Sequence, residues 1–208
     1  MAGIPFKSGL VPVNYGKAAD YSAAVNTYRV AAGYATAIFS GAPVAVSTNG
    51  YATIATSATH GQAVIGVCQG AFWIDPTTKK PVESRYLPAG TSSASGSYNG
   101  VNFGANAAPA IKVIDDLDQV YAIKCVSSIA IAKLNDNLGI SPTAATGGNT
   151  VTGQSSVKAS TAGDADSLLQ CVGVFKADEF ITATSAGGSG VNDWGAPNTV
   201  VLVKLRKN

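Results

Sequence analysis

The chain has 208 residues, of which 12% are charged: 14 Lys and Arg against 12 Asp and Glu, for a formal net charge of +2. Ordinary soluble domains carry about 25% charged residues. The 46% apolar content excludes disorder of the low-hydrophobicity, high-charge kind, scarce Leu and Glu exclude a coiled coil, and a small, dispersed positive charge excludes electrostatic capture of nucleic acid.

Residues 1–28 read as an N-terminal arm. Pro5 and Pro12 favour extended backbone, and Gly3, Gly9 and Gly16 interrupt it. The arm has no core of its own and carries Phe6, Tyr15, Tyr21 and Tyr28. It is expected to lie on another surface, with those four aromatics as anchors.

Residues 29–208 are expected to form one β-rich domain. Short apolar runs at 29–32, 36–40 and 43–48 come first. Ser47-Thr48-Asn49-Gly50-Tyr51 then joins two strand-like runs through Asn-Gly, the strongest short hairpin signal. Val64-Ile65-Gly66-Val67-Cys68 is continuously apolar, as a strand buried on both faces would be. Gly66 within it points to a bulge or a close backbone approach. Ala71-Phe72-Trp73-Ile74 follows and ends in Asp75-Pro76-Thr77-Thr78, a turn in which Asp caps and Pro presets φ. Residues 82–87 return as a strand.

The Ser-, Gly- and Asn-rich stretches 91–108 and 135–150 read as loops. Strands are expected at 111–114, 119–126, 168–175 and 199–205. This gives roughly ten short strands and no apolar helical period, hence an all-β barrel or sandwich with long Gly/Ser/Ala-rich loops. Val64 to Cys68 and Cys171-Val172-Gly173-Val174-Phe175 echo each other, which points to two equivalent strands, each with a Gly where backbones crowd.

Catalytic chemistry finds little support. His60 is the only histidine, and no Gly-x-Ser-x-Gly elbow accompanies it. No catalytic residue, metal site or cofactor is expected. Asp115, Asp116 and Asp118 lack the Asp-x-Asp-x-Asp-Gly spacing of a calcium loop and read as turn caps. Cys68, Cys125 and Cys171 lie in separate apolar runs and are expected as buried free thiols. The first residues lack a charged segment followed by an apolar one, so no signal peptide is expected, and no run approaches the length of a membrane span. Trp73 and Trp194 join the arm aromatics as expected interface anchors, since Trp and Tyr dominate binding hot spots.

From Gly66-Val-Cys-Gln-Gly70 through Asp75-Pro-Thr-Thr-Lys-Lys-Pro81 to Leu87-Pro-Ala-Gly-Thr91, the chain resembles capsid decoration (cement) proteins of tailed bacteriophages of marine and cyanobacterial hosts. Later blocks agree in order: Val113-Ile-Asp-Asp-Leu-Asp-Gln-Val-Tyr-Ala-Ile-Lys-Cys125, Thr152-Gly-Gln-Ser155 and Val201-Leu-Val203. The resemblance covers about residues 30–208. Lys79 stands where that family has Gly, Leu117 where it has Pro and Cys68 where it has Phe. It implies a non-enzymatic virion protein, made in the host cytoplasm and bound to the capsid exterior. Its partners would be the major capsid protein and further copies of itself (a trimer, with a dimer as the alternative), with no nucleic acid and no membrane. Two other functions fit the same chain. One is a different virion part, such as a head-fibre base or tail component. The other is a carbohydrate-binding, adhesin-like domain using Trp73, Trp194 and the Asp cluster.

Overall fold

A computed structural model describes residues 9–13, 24–56, 64–104, 106–116, 118–142, 145–161, 167–175, 194–196 and 199–206. These residues are all-β. Eighteen strands occur among them, with one 3-10 turn at Ile131–Lys133. The count exceeds the ten or so expected because pieces of two or three residues are too short to leave a pattern in the sequence.

The first half of the chain supplies β1 (Val11–Val13), β2 (Val25–Arg29), β3 (Ile38–Phe39), β4 (Pro43–Val46), β5 (Ala52–Ile54) and β6 (Val64–Ile74). It continues with β7 (Pro81–Ser84), β8 (Tyr86–Leu87), β9 (Gly96–Tyr98) and β10 (Val101–Phe103), and β11 (Ala110–Ile114) follows just past the midpoint. The second half supplies β12 (Val120–Lys124), β13 (Asn137–Ser141), β14 (Gly148–Asn149), β15 (Gln154–Ser155), β16 (Lys158–Ser160), β17 (Leu169–Val174) and β18 (Val200–Leu205).

Several turns match their sequence signals. Asn49-Gly50 closes the β4–β5 hairpin, with the Ser47 N–H donating to Tyr51 O at 2.8 Å and Gly50 at φ +78°. Asp75 Oδ1 accepts the N–H groups of Thr77 and Thr78 at 2.8 and 2.6 Å in the turn from β6 to β7. Lys79, where the resembled family has Gly, sits at φ +59°, a left-handed conformation that glycine adopts without steric cost.

Two large antiparallel sheets form. The amino-terminal sheet runs β2-β11-β6-β4-β5, with β7 also on β6; the carboxyl-terminal sheet runs β1-β12-β18-β17-β13-β16. Among the described residues no sheet closes into a barrel. Residues of both sheets, among them Val67, Ala71, Val113, Tyr121, Val203 and Leu169, pack in one core, the arrangement of a sandwich. A second cluster, Phe72, Ile74, Phe103 and Ala110, covers the other face of the amino-terminal sheet.

The two sheets have the same topology. Numbered in chain order, β2, β4, β5, β6 and β11 lie in the order 1-5-4-2-3, and so do β12, β13, β16, β17 and β18. Register agrees as well. Cys68 faces Val113 and Gly70 faces Lys112, with Gln69 bulged out between them. Cys171 faces Val203 and Gly173 faces Leu202, with Val172 bulged out. On the other side of the same strands, Gly41 N–H donates to Cys68 O at 2.8 Å and Cys68 N–H to Ala42 O at 2.9 Å. Their counterparts are Asn135 N–H to Cys171 O at 2.8 Å and Cys171 N–H to Asp136 O at 3.0 Å. Gly41 and Asn135 share a left-handed backbone, φ +84° and +64°. The two strands of the sequence echo are therefore equivalent, but the echo's alignment is offset by four residues: Gly70, not Gly66, is the counterpart of Gly173.

Three expectations are corrected. The opening stretch 1–28 is not wholly an arm, because Val11–Val13 pairs with β12 and Val25–Arg29 with β11. The stretch 91–108 is not simply a loop: it contains the hairpin of β9 and β10, whose Tyr98 and Phe103 pack edge-on against Phe72 at 6.1 and 5.9 Å between ring centroids. The stretch 135–150 contains β13, whose Leu138 and Ile140 are buried.

Candidate interaction surface

The duplicated framework shows where the halves have diverged. At the end of strands 1 and 5, the carboxyl-terminal sheet places Tyr121, Ile123 and Leu205, all in the core. The amino-terminal sheet places Asn26, Tyr28 and Asp115 at the matching positions. Asp115 Oδ2 accepts from Asn26 Nδ2 at 2.8 Å and from the Tyr28 hydroxyl at 2.7 Å. Burial, and then the neighbouring Asp115 carboxylate, push the Tyr28 phenol up from 10.0 to about 12. An apolar trio in one half is a polar, partly exposed cluster in the other.

Of the expected anchors, Phe6, Tyr15 and Tyr21 lie outside the described residues. Tyr28 is committed to Asp115. Trp73 and Trp194 are half-buried and packed against the main core. His60 also lies outside the described residues. The three aspartates do not converge. Asp115 serves Asn26 and Tyr28, Asp116 Oδ1 accepts the Asp118 N–H at 2.9 Å, and Asp118 faces Lys204 Nζ at 3.3 Å. Among the described residues no group of three His, Cys, Asp or Glu could hold a metal ion.

All three cysteines are free and buried. Burial pushes the Cys68 and Cys125 thiols up from 9.0 to about 12 and also raises Cys171. Thiols held protonated in this way are poor nucleophiles.

An open groove of about 300 Å³ is lined in part by Arg29, Tyr51, Asn102 and Asn106. Its one cation is spoken for: the Arg29 guanidinium donates to Ala108 O at 2.7 Å and to Asn102 O, and lies 4.8 Å from the Phe103 ring centroid. The groove lining holds no carboxylate, thiol or imidazole.

Sequence reading missed the apolar side chains that the fold leaves in solvent: Val25, Val126, Ile131, Leu134 and Val151. Val151 is 93% exposed at the tip of the β14–β15 hairpin. The tip is held firmly. Asn149 Oδ1 accepts the N–H groups of Val151 and Thr152 at 2.8 and 3.1 Å. Gly148 lies against the Phe39 ring so closely that a Cβ would fall 2.2 Å from it, and Phe39 stacks on Tyr86 at 5.0 Å. Ile131, 64% exposed, opens the 3-10 turn, and Leu134 follows it. Only their order in the loops gave a signal, and an isolated Val or Ile in a polar run does not announce its exposure.

Comparison with protein-family models, curated proteins and solved structures found no match.

Proposed function

We propose that the protein is a virion structural protein, a capsid decoration or cement protein that binds the outer surface of a phage head and braces contacts between major capsid subunits. The observation that carries this reading is the set of apolar side chains left in solvent, Val151 at the tip of the β14–β15 hairpin and Ile131 in the 3-10 turn foremost, on a chain with few charges. Interface cores are poor in charge and rich in apolar contact. The ordered blocks of resemblance to decoration proteins support it further. Lys79 adds to this, since its left-handed backbone suits the Gly of that family.

The mechanism is geometric. A β sandwich that touches several subunits at once adds contacts that must break together, which slows dissociation of the shell. With Val11–Val13 and Val25–Arg29 paired into the sheets, the body makes these contacts, and self-association follows from the same apolar tips. The protein acts without catalysis or cofactor. Recombinant protein mixed with undecorated expanded heads should bind saturably, at hundreds of copies per particle. A handful of copies would assign it to a fibre base or tail, and no binding to heads would overturn the reading.

A further inference from the structure

The internal duplication shows what is missing from one sheet edge. In the carboxyl-terminal sheet the outer edge of strand 1 is covered: β1 pairs Val11 with Ala122, Pro12 with Tyr121 and Val13 with Val120. The counterparts of Val120, Tyr121 and Ala122 on strand 1 of the amino-terminal sheet are Val25, Asn26 and Thr27. Those three residues are exposed, whereas the three they match are buried. Among the described residues no strand pairs with the outer edge of β2.

The same edge differs again at its carboxyl end. In the carboxyl-terminal sheet a parallel bridge, Cys125 to Ala159, ties the end of β12 to β16. The matching residues are Val30 and Ala52. No bridge joins them among the described residues, and the groove between Arg29 and Tyr51 lies at that seam. Gln119, just before β12, donates to Val13 O at 3.0 Å and clasps β1. Its counterpart is Ala24, which is exposed and cannot clasp anything.

We infer that the outer edge of β2 over Val25–Thr27 is a strand-addition site that takes an extended, apolar segment of a partner protein. The occupant's chemistry follows from its counterpart. Pro12 has no N–H, so the bonded pairs of the β1–β12 ladder fall on either side of it, at Val11–Ala122 and Val13–Val120. The incoming segment therefore runs antiparallel to β2 and exchanges hydrogen bonds with Val25 and Thr27. It presents β-branched side chains opposite those two residues, and its central N–H is not needed. Main-chain bonds supply the affinity and alternate side chains the selectivity, the general logic of β-augmentation. Exposed edges of this kind are normally blunted by charge, Pro or a cover, and Val25, Asn26 and Thr27 provide none of these. The site does not depend on the partner being a capsid subunit.

The test uses the full chain and a capped peptide of residues 8–14, which carries the segment that covers the matching edge. With the peptide in excess, amide exchange at Val25 and Thr27 should slow several-fold while the rest of β2 is unchanged. Thr27→Pro removes an outward N–H, which an edge strand tolerates, and should abolish the slowing at Val25. Thr27→Lys keeps the N–H but places a charge on the edge and should weaken it. Unchanged exchange at saturating peptide overturns the proposal. So does protection of both amides without peptide at every protein concentration, which would mean that the chain covers its own edge. Protection that grows with protein concentration alongside dimers in sedimentation would overturn it in favour of a second copy.

Discussion

Cys68 and Cys171 stand at the same point of two equivalent sheets, each pointing its thiol at the carbonyl of the glycine two residues on: Cys68 Sγ to Gly70 O at 3.6 Å, Cys171 Sγ to Gly173 O at 3.8 Å. Each cysteine opens a bulge and each glycine closes it. The pair marks an internal duplication that the surrounding residues conceal.

Glycine substitutions should separate the two halves. A Cβ on Gly66 would lie 2.0 Å from Ile114 O, a backbone atom that cannot step aside, whereas on Gly173 it would meet only Leu202 Cδ1 at 3.8 Å. Gly66→Ala should cost about 1–3 kcal/mol or more, the range of overpacked cores. Gly173→Ala should stay within about 0.5 kcal/mol, as at sites free of such conflict. Urea midpoints measure both, and equal losses would contradict the placement of Gly66 between β4 and β11.

The buried thiols set an alkaline limit. Unfolded thiols ionise near 9.0, while Cys68 and Cys125 hold their protons to about 12 when folded. A raised folded pKa gives stability that is fully present below the unfolded value and is lost as pH rises, because the unfolded chain sheds protons that the native one keeps. Stability should therefore be level up to about pH 9 and fall towards 12, with Tyr28 steepening the fall above 10. Cys68→Ala should flatten the slope. At pH 8 a thiol reagent should label the native protein at none of its three cysteines and the denatured chain at all of them.

Val151 should matter for binding and not for folding. At 93% exposure its replacement by Ser should move stability by no more than about 0.5 kcal/mol. Under the decoration reading, Val151→Ser should lower occupancy on expanded heads, and Val151→Asp more so. Full occupancy by both variants would remove the hairpin tip from the contact.

Residues near the amino end should matter for folding. Leu10 is 1% exposed in the main core, and its N–H donates to Gly41 O at 2.9 Å. Leu10→Ala should cost about 2–5 kcal/mol, and removing residues 1–13 at least as much, read by thermal or urea unfolding. A truncated chain of unchanged stability would restore these residues to the role of a free arm.

The all-β class, the Asn49-Gly50 hairpin, the Asp75 turn and the inert thiols were legible because each rests on local chemistry: β-branched runs, turn residues, apolar flanks. The duplication was not. Its evidence is register, which is set by pairing partners far apart in sequence, and the matched positions share little: Asn26, Tyr28 and Asp115 against Tyr121, Ile123 and Leu205. Spacing hides it too, since the chain runs from Cys68 to Val113 in one half and from Cys171 to Val203 in the other. Tyr98 and Phe103 looked like loop residues because Ser, Gly and Asn surround them; burial against Phe72 overrides that local composition. Trp73 and Trp194 could not be placed from sequence, since an aromatic in an apolar strand suits a core and a contact equally.

The position of β1 has a kinetic side. Val11 pairs with Ala122, more than half the chain away, and Gly9 N–H donates to Val157 O at 3.1 Å, further still. Neither partner exists until more than half of these 208 residues have been made, and closing so long a loop is slow. On the ribosome, β1 waits unpaired through the synthesis of the whole amino-terminal sheet, and only when β12 follows does its neighbour exist.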